Sequence, residues 1–137
     1  NSTIDTNLVP LTIFARADLL FFRNQFDLSI QTLDSVQKQF PTHSLSDEIL
    51  YKKYQIAYRR GNWEQSALLL TTILKDHSFD IFADDACFKL GDLYENKLDD
   101  LIKAKEYYEQ VLLKFSNSLY AVEARKRFRR LRGDNVN

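Results

Sequence analysis

The chain has 137 residues, with 19 basic and 19 acidic side chains, ten Phe, seven Tyr and one Trp, but only three Gly and two Pro. That length fits one domain with a modest core, and so much aromatic side chain is incompatible with wholesale disorder. Few turn residues argue against a sandwich or barrel, and balanced charge leaves no global field for nucleic acid or an anionic membrane.

Residues 1–7 are polar and expected to fray, while from Leu8 the positions Ile13, Phe14, Ala17, Leu20 and Phe21 recur at spacings of three and four, the mark of one helix face. That helix is expected to stop near Asn24. A second pattern, Phe26, Ile30, Leu33, Val36, Gln37 and Phe40, ends at Pro41, because proline cannot continue the hydrogen-bond ladder. Ser46, Asp47 and Glu48 then suit the positive end of a third helix, whose apolar side is Leu50, Tyr54, Ala57 and Tyr58. Gly61 and Asn62 supply a corner, and Trp63, Ala67, Leu70, Ile73 and Leu74 form the returning helix.

A third pair runs from about Asp80 through Ala83, Cys87, Leu90, Gly91 and Tyr94, turns through residues 96–99, and returns with Leu101, Ala104, Tyr108, Val111, Leu112 and Phe115. A last helix from about Ser118 carries Leu119, Val122, Phe128 and Leu131.

The pairs superpose. Phe26, Trp63 and Leu101 fall at successive offsets of 37 and 38 residues, and the small residues Ser29, Ser66 and Ala104 keep that register. So do Leu33, Leu70 and Tyr108, then Val36, Ile73 and Val111; in the outgoing helices Ala17, Tyr54 and Gly91 match, as do Ile13, Leu50 and Cys87. The third copy needs one extra corner residue near Lys97 and Leu98. A repeat of this length signals stacked helical pairs, each burying its face only against a neighbour. Small residues let the two helices of a pair approach, and Phe26, Trp63 and Leu101 are expected to wedge into equivalent places between pairs.

The segments 60–67, 89–94 and 103–109 resemble the tetratricopeptide repeat, with its glycine, aromatic, alanine and late proline positions met by Gly91, by Tyr94 and Trp63, by Ala104, and by Pro41. Tyr54 stands where that family has a small residue, and Ser78 and Ser116 where proline closes a repeat. The resemblance implies an all-α, right-handed superhelix of about three hairpins, over 8–41, 45–78 and 80–116, with a C-terminal helix over 118–132, as a single domain of 1–137. It also implies a non-catalytic scaffold for a protein or peptide partner, without cofactor. The long repeat is similar to that of outer-membrane assembly and cell-division-coordination proteins, and the ending 118–134 to the tail of large Bacteroidota proteins. Periplasm or outer membrane is implied, with the cytoplasm open.

The surface expected to bind is the wall made by the outgoing helices. The register puts Phe14, Asp18 and Phe22, then Tyr51, Gln55, Tyr58 and Arg59, then Phe88, Asp92 and Glu95 facing inward and free of packing duty. Aromatics among polar groups suit a protein contact. Arg125, Lys126, Arg127, Arg129, Arg130 and Arg132 crowd the last helix; they read as a solvated cap, or as a dock for an acidic partner, RNA or lipid headgroups, which a lack of interleaved aromatics disfavours.

Other chemistry finds little support. His43 and His77 lack Cys or carboxylate neighbours at metal-ligand spacing. The pairs Asp84–Asp85 and Asp99–Asp100 point apart on adjacent positions, and Asp92 with Glu95 is the remaining acidic pair. No phosphate loop, nucleophile elbow or metalloprotease motif occurs. Cys87, alone, can make no internal disulfide and reads as a small buried hydrophobe. No run approaches the roughly 20 apolar residues that span a bilayer. A chain that begins at Asn1 and has no Met is read as a piece of a longer protein. An end face left bare by a missing upstream repeat could then pair two copies.

Overall fold

The structure, a computed structural model, describes residues 2–41, 45–76 and 81–133, with side chains from Val9 onward. Among the described residues the chain forms α1 (Ser2–Phe22), α2 (Phe26–Gln39), α3 (Ser46–Arg59), α4 (Trp63–Asp76), α5 (Ala83–Asn96), α6 (Leu101–Lys114) and α7 (Ala121–Arg132). Each odd helix packs along the even helix that follows it, giving three antiparallel hairpins with α7 laid on the last. This is a tetratricopeptide-like solenoid architecture.

Residues 2–7, expected to fray, belong to α1, and Pro10 lies inside the same helix. A polar opening turn carries no apolar period, so periodicity locates the start of the buried face and not the start of the helix.

The repeat register is visible in the corners. Asn24, Gly61 and Asp99, at offsets of 37 and 38, are the residues that turn left-handed, with φ of 60°, 73° and 54°. The backbone N–H of the next residue reaches back to the outgoing helix in each case, Gln25 to Leu20, Asn62 to Ala57 and Asp100 to Tyr94. The extra residue of the third corner therefore precedes Asp99. Glycine is unstrained in this conformation and Asn and Asp tolerate it.

Small residues sit where the helices of a pair come closest. Ser29 is buried and donates its hydroxyl to the Ala17 carbonyl, 2.7 Å away on the partner helix; Ser66 and Ala104 are buried at the equivalent points. Bulk is traded across each hairpin: Ala17 pairs with Leu33, Tyr54 with Leu70, and Gly91 with Tyr108. A Cβ on Gly91 would lie 2.5 Å from the Tyr108 ring. Tyr54 can replace the small residue because its partner is a leucine.

Between hairpins one stacking contact recurs. Tyr51 lies on Phe82 and Phe88 on Tyr120, both pairs with ring centroids 4.8 Å apart and planes at 21°. The register thus continues into the turn before α7, making α7 the outgoing helix of a fourth position. Its Ala124, Phe128 and Leu131 pack on the third hairpin, as Ala86, Leu90 and Leu93 of α5 pack on the second. Arg125 and Arg129 stand where Cys87 and Gly91 would receive a returning helix, so the outer face of α7 is exposed and cationic.

One expected equivalence fails. Phe26 packs on Phe21 and Trp63 on Tyr58, but Leu101 is 52% exposed. In the third copy the residue equivalent to Phe21 and Tyr58 is Glu95, whose carboxylate bonds the Tyr108 hydroxyl and Arg130. Leu101 therefore has no aromatic partner to wedge against.

Candidate functional site

Three outgoing helices line a groove of about 290 Å³, with Phe21 and Phe22 from α1, Lys52, Tyr54, Gln55, Tyr58 and Arg59 among the α3 residues, and Lys89 from α5. Phe22 is 69% exposed, Arg59 is exposed, and Tyr51, Gln55 and Tyr58 are half-buried. Cations lie over the rings, with Lys52 4.4 Å and Arg59 4.9 Å from the Phe21 centroid. Lys52 also pairs with Asp18 at 2.6 Å, tying α3 to α1. Phe14, at the register position of Tyr51 and Phe88, is half-buried against the core of the first hairpin.

Tyr51 is more structural than its position promised. Its hydroxyl donates to Asp85 at 2.7 Å and accepts from Lys89 at 2.9 Å. The Lys89 ammonium reaches both Asp85 oxygens, and the Tyr120 hydroxyl donates to the same carboxylate. One aspartate thus joins α3, α5 and the approach to α7. Burial and the carboxylate together push the Tyr51 hydroxyl well above the ordinary phenol range. Burial pulls the Lys89 ammonium down, but its bond to Asp85 outweighs that and leaves it raised.

Phe88, Asp92 and Glu95, expected to be free, are not. Phe88 is buried under Tyr120 and the Arg127 guanidinium, 4.9 Å from its ring centroid. Arg127 donates to Asp92 at 2.8 Å, to Glu123 at 3.0 Å and to the Tyr108 hydroxyl at 3.1 Å. Arg130 meets Glu95, whose side chain is 12% exposed. The physical reason is that α7 occupies the next outgoing position, so its inward cations fall on the acidic wall of α5. Burial lowers the Arg127 guanidinium, but its three acceptors more than offset this; the same arginine holds the Glu123 carboxyl below the usual range.

The basic cluster accordingly divides. Arg127 and Arg130 bind the chain itself, Arg132 lies 5.0 Å over the Phe128 ring, and Arg125, Lys126 and Arg129 are exposed. The sequence signal for this split is the register: Lys52, Lys89 and Arg127 are equivalent positions, each a cation facing an acidic neighbour.

The acidic pairs have structural partners. Asp84 accepts from Ser118 at 2.6 Å, and Asp100 caps α6 by accepting the Lys103 N–H at 3.1 Å. His43 and His77 lie outside the described residues. Among the described residues no three His, Cys, Asp or Glu are grouped to hold a metal ion, and no helix is long and apolar enough to cross a membrane.

In a comparison with protein families, residues 85–118, from α5 through α6 to the following turn, match the tetratricopeptide repeat. A comparison with curated proteins gives no match. Tetratricopeptide repeats are non-catalytic scaffolds, and this fold supports a protein-interaction role.

Proposed function

We propose that the chain binds an extended peptide segment of a partner protein along the groove between α1, α3 and α5. The observation that carries this is the exposed Phe22, with Tyr58, Gln55 and Arg59 beside it, in a wall whose other side chains are held by the ion pairs Lys52–Asp18 and Lys89–Asp85. Aromatic area on a rigid surface gives contact energy at low entropy cost, and the exposed Arg59 favours a segment carrying a carboxylate. What supports an end position in a larger stack is the cationic outer face of α7; an envelope setting rests on the long repeat alone.

The test is a solid-phase library of short peptides probed with the natural chain, Phe22→Ser, Arg59→Ala and Arg125→Ala. The best peptides should lose at least about ten-fold in affinity to the first two variants and keep it with Arg125→Ala. Equal retention by all three would remove the groove from consideration. Tyr51→Ala is a poor probe, since it unties Asp85. Binding through the basic helix instead would fall steeply with salt and vanish in Arg125→Ala.

A further inference from the structure

The joint between the first and second hairpins is built differently from the one that follows it. α4 packs along α5, whereas α2 meets α3 only sparsely. At the second joint Leu90 is fully buried between the hairpins, and Tyr94 and Tyr107 stack beside it with centroids 5.8 Å apart and planes at 5°. Both tyrosines pack on the core of the preceding hairpin. The register assigns the corresponding positions of the first joint to Lys53, Ala57 and Leu69. Two rings are replaced by a methyl and an isobutyl group, and the apolar plug by an amine.

The missing volume is present as a cleft of about 220 Å³, floored by Ile30, Ile56, Ala57 and Leu69 and rimmed by Lys53 and Arg60. It shares no residue with the peptide groove. The rim cations are satisfied within the chain, Lys53 by Asp34 at 2.6 Å and Gln37 at 2.8 Å, and Arg60 by Asp27 at 2.5 Å. The cleft therefore offers an apolar floor and a charge-balanced rim, which favours a neutral ring over an ion. An apolar cavity of about 150 Å³ is already large enough to hold benzene.

We propose that this cleft receives an aromatic side chain, a tyrosine above all, from a partner protein, at a site separate from the peptide groove. The molecule displays the occupant in its own next joint, where two tyrosines fill the equivalent space. Asp34 lines the cleft, where a carboxylate oxygen can accept from a phenol.

The test is a methyl NMR titration of the whole chain with a capped Gly-Tyr-Gly tripeptide, with capped Gly-Ala-Gly as the control. Saturable shifts at Ile30, Ile56 and Leu69 with the tyrosine peptide only are expected. At Ile30 and Ile56 they should weaken at least ten-fold in Ala57→Tyr/Leu69→Tyr, which restores the tyrosine pair; Leu69→Phe alone serves if the double variant misfolds. No shift at these methyls up to the solubility limit, or shifts unchanged in the filled variants, would overturn the proposal. So would shifts that grow with protein concentration when no peptide is present, since a second copy would then be the occupant.

Discussion

Gly91 and Tyr108 show how one residue's size depends on another's. An alanine at position 91 would set its Cβ 2.5 Å from a fully buried ring, and overpacking of this kind costs about 1–3 kcal/mol. The gain in helix propensity, at most about 1 kcal/mol, offsets only part of that. Gly91→Ala should therefore lower the urea midpoint. Gly91→Ala/Tyr108→Leu should be less destabilised than the two single changes summed, because an alanine facing a leucine is the arrangement of Ala17 and Leu33. Strict additivity would mean that the two residues are not coupled.

The residue scale also has a pH dependence with a definite sign. Burial pushes the Cys87 thiol up to about 12, and burial likewise raises the Tyr51, Tyr54 and Tyr108 hydroxyls. A folded-state pKa above the unfolded one gives stability that is whole below the unfolded value and lost as pH climbs toward the folded value. Urea midpoints should hold steady to about pH 8.5, the ordinary thiol range, and then fall continuously toward pH 12. The native thiol should react with a disulfide reagent at pH 8 no faster than the chain unfolds. A midpoint unchanged at pH 11, or a fast native reaction, contradicts the burial of these groups.

At the scale of elements, the apolar period and the 37-residue register made the hairpins, their corners and the small contact residues legible before any coordinates, and residues 85–118 carry the match to the repeat family. What escaped was the content of the neighbouring surface. Leu101 reads as a wedge by register, yet its burial depends on an aromatic six residues earlier that the third copy replaces with Glu95. The groove residues divided for the same reason. Gln55, Tyr58 and Arg59 stay open, whereas Phe88, Asp92 and Glu95 are covered by α7, whose run of basic residues masks its place in the repeat. Carried past Ser118, the register aligns Lys52, Lys89 and Arg127 and points Arg127 at Asp92.

The division of the cationic helix can be measured. Arg127→Met keeps an apolar side chain of similar reach at this position and removes three hydrogen bonds, two of them to carboxylates. Its expected loss is about 1–3 kcal/mol, set by the carboxylates and the hydroxyl left short of a partner. Arg125→Met and Arg129→Met, on the exposed side, should stay within about 0.5 kcal/mol of the natural chain. Losses of similar size in all three would mean that α7 is held by its overall charge.

At the scale of the whole molecule, a stack transmits stability only through its joints, because each hairpin touches its neighbours alone. The second and third joints are closed by Leu90 with the Tyr94–Tyr107 stack, and by Phe128 with Leu131. The first keeps Leu45, Ile49 and Ile56 against the core of the first hairpin, but Lys53 stands in place of the Leu90 plug, and the ion pairs of Lys53, Lys52 and Arg60 that bridge the rest are exposed or half-exposed and contribute little. The first hairpin should therefore open on its own more often than the rest. Leu33 and Val36 of α2, Leu70 and Ile73 of α4, and Tyr108 and Val111 of α6 are equivalent, and all six are fully buried, so side-chain exposure cannot separate their amides. Hydrogen exchange should separate them even so, with the α2 pair at least about ten-fold less protected than the α4 and α6 pairs. Lys53→Leu, which restores the apolar plug of the second joint, should narrow the difference. Because α6 also lies near an end of the described stack, low protection in α2 but not in α6 would place the weakness in the joint itself. Equal protection at all six amides would show that the first joint, without the Leu90 plug and the tyrosine pair, couples the hairpins as firmly as the second.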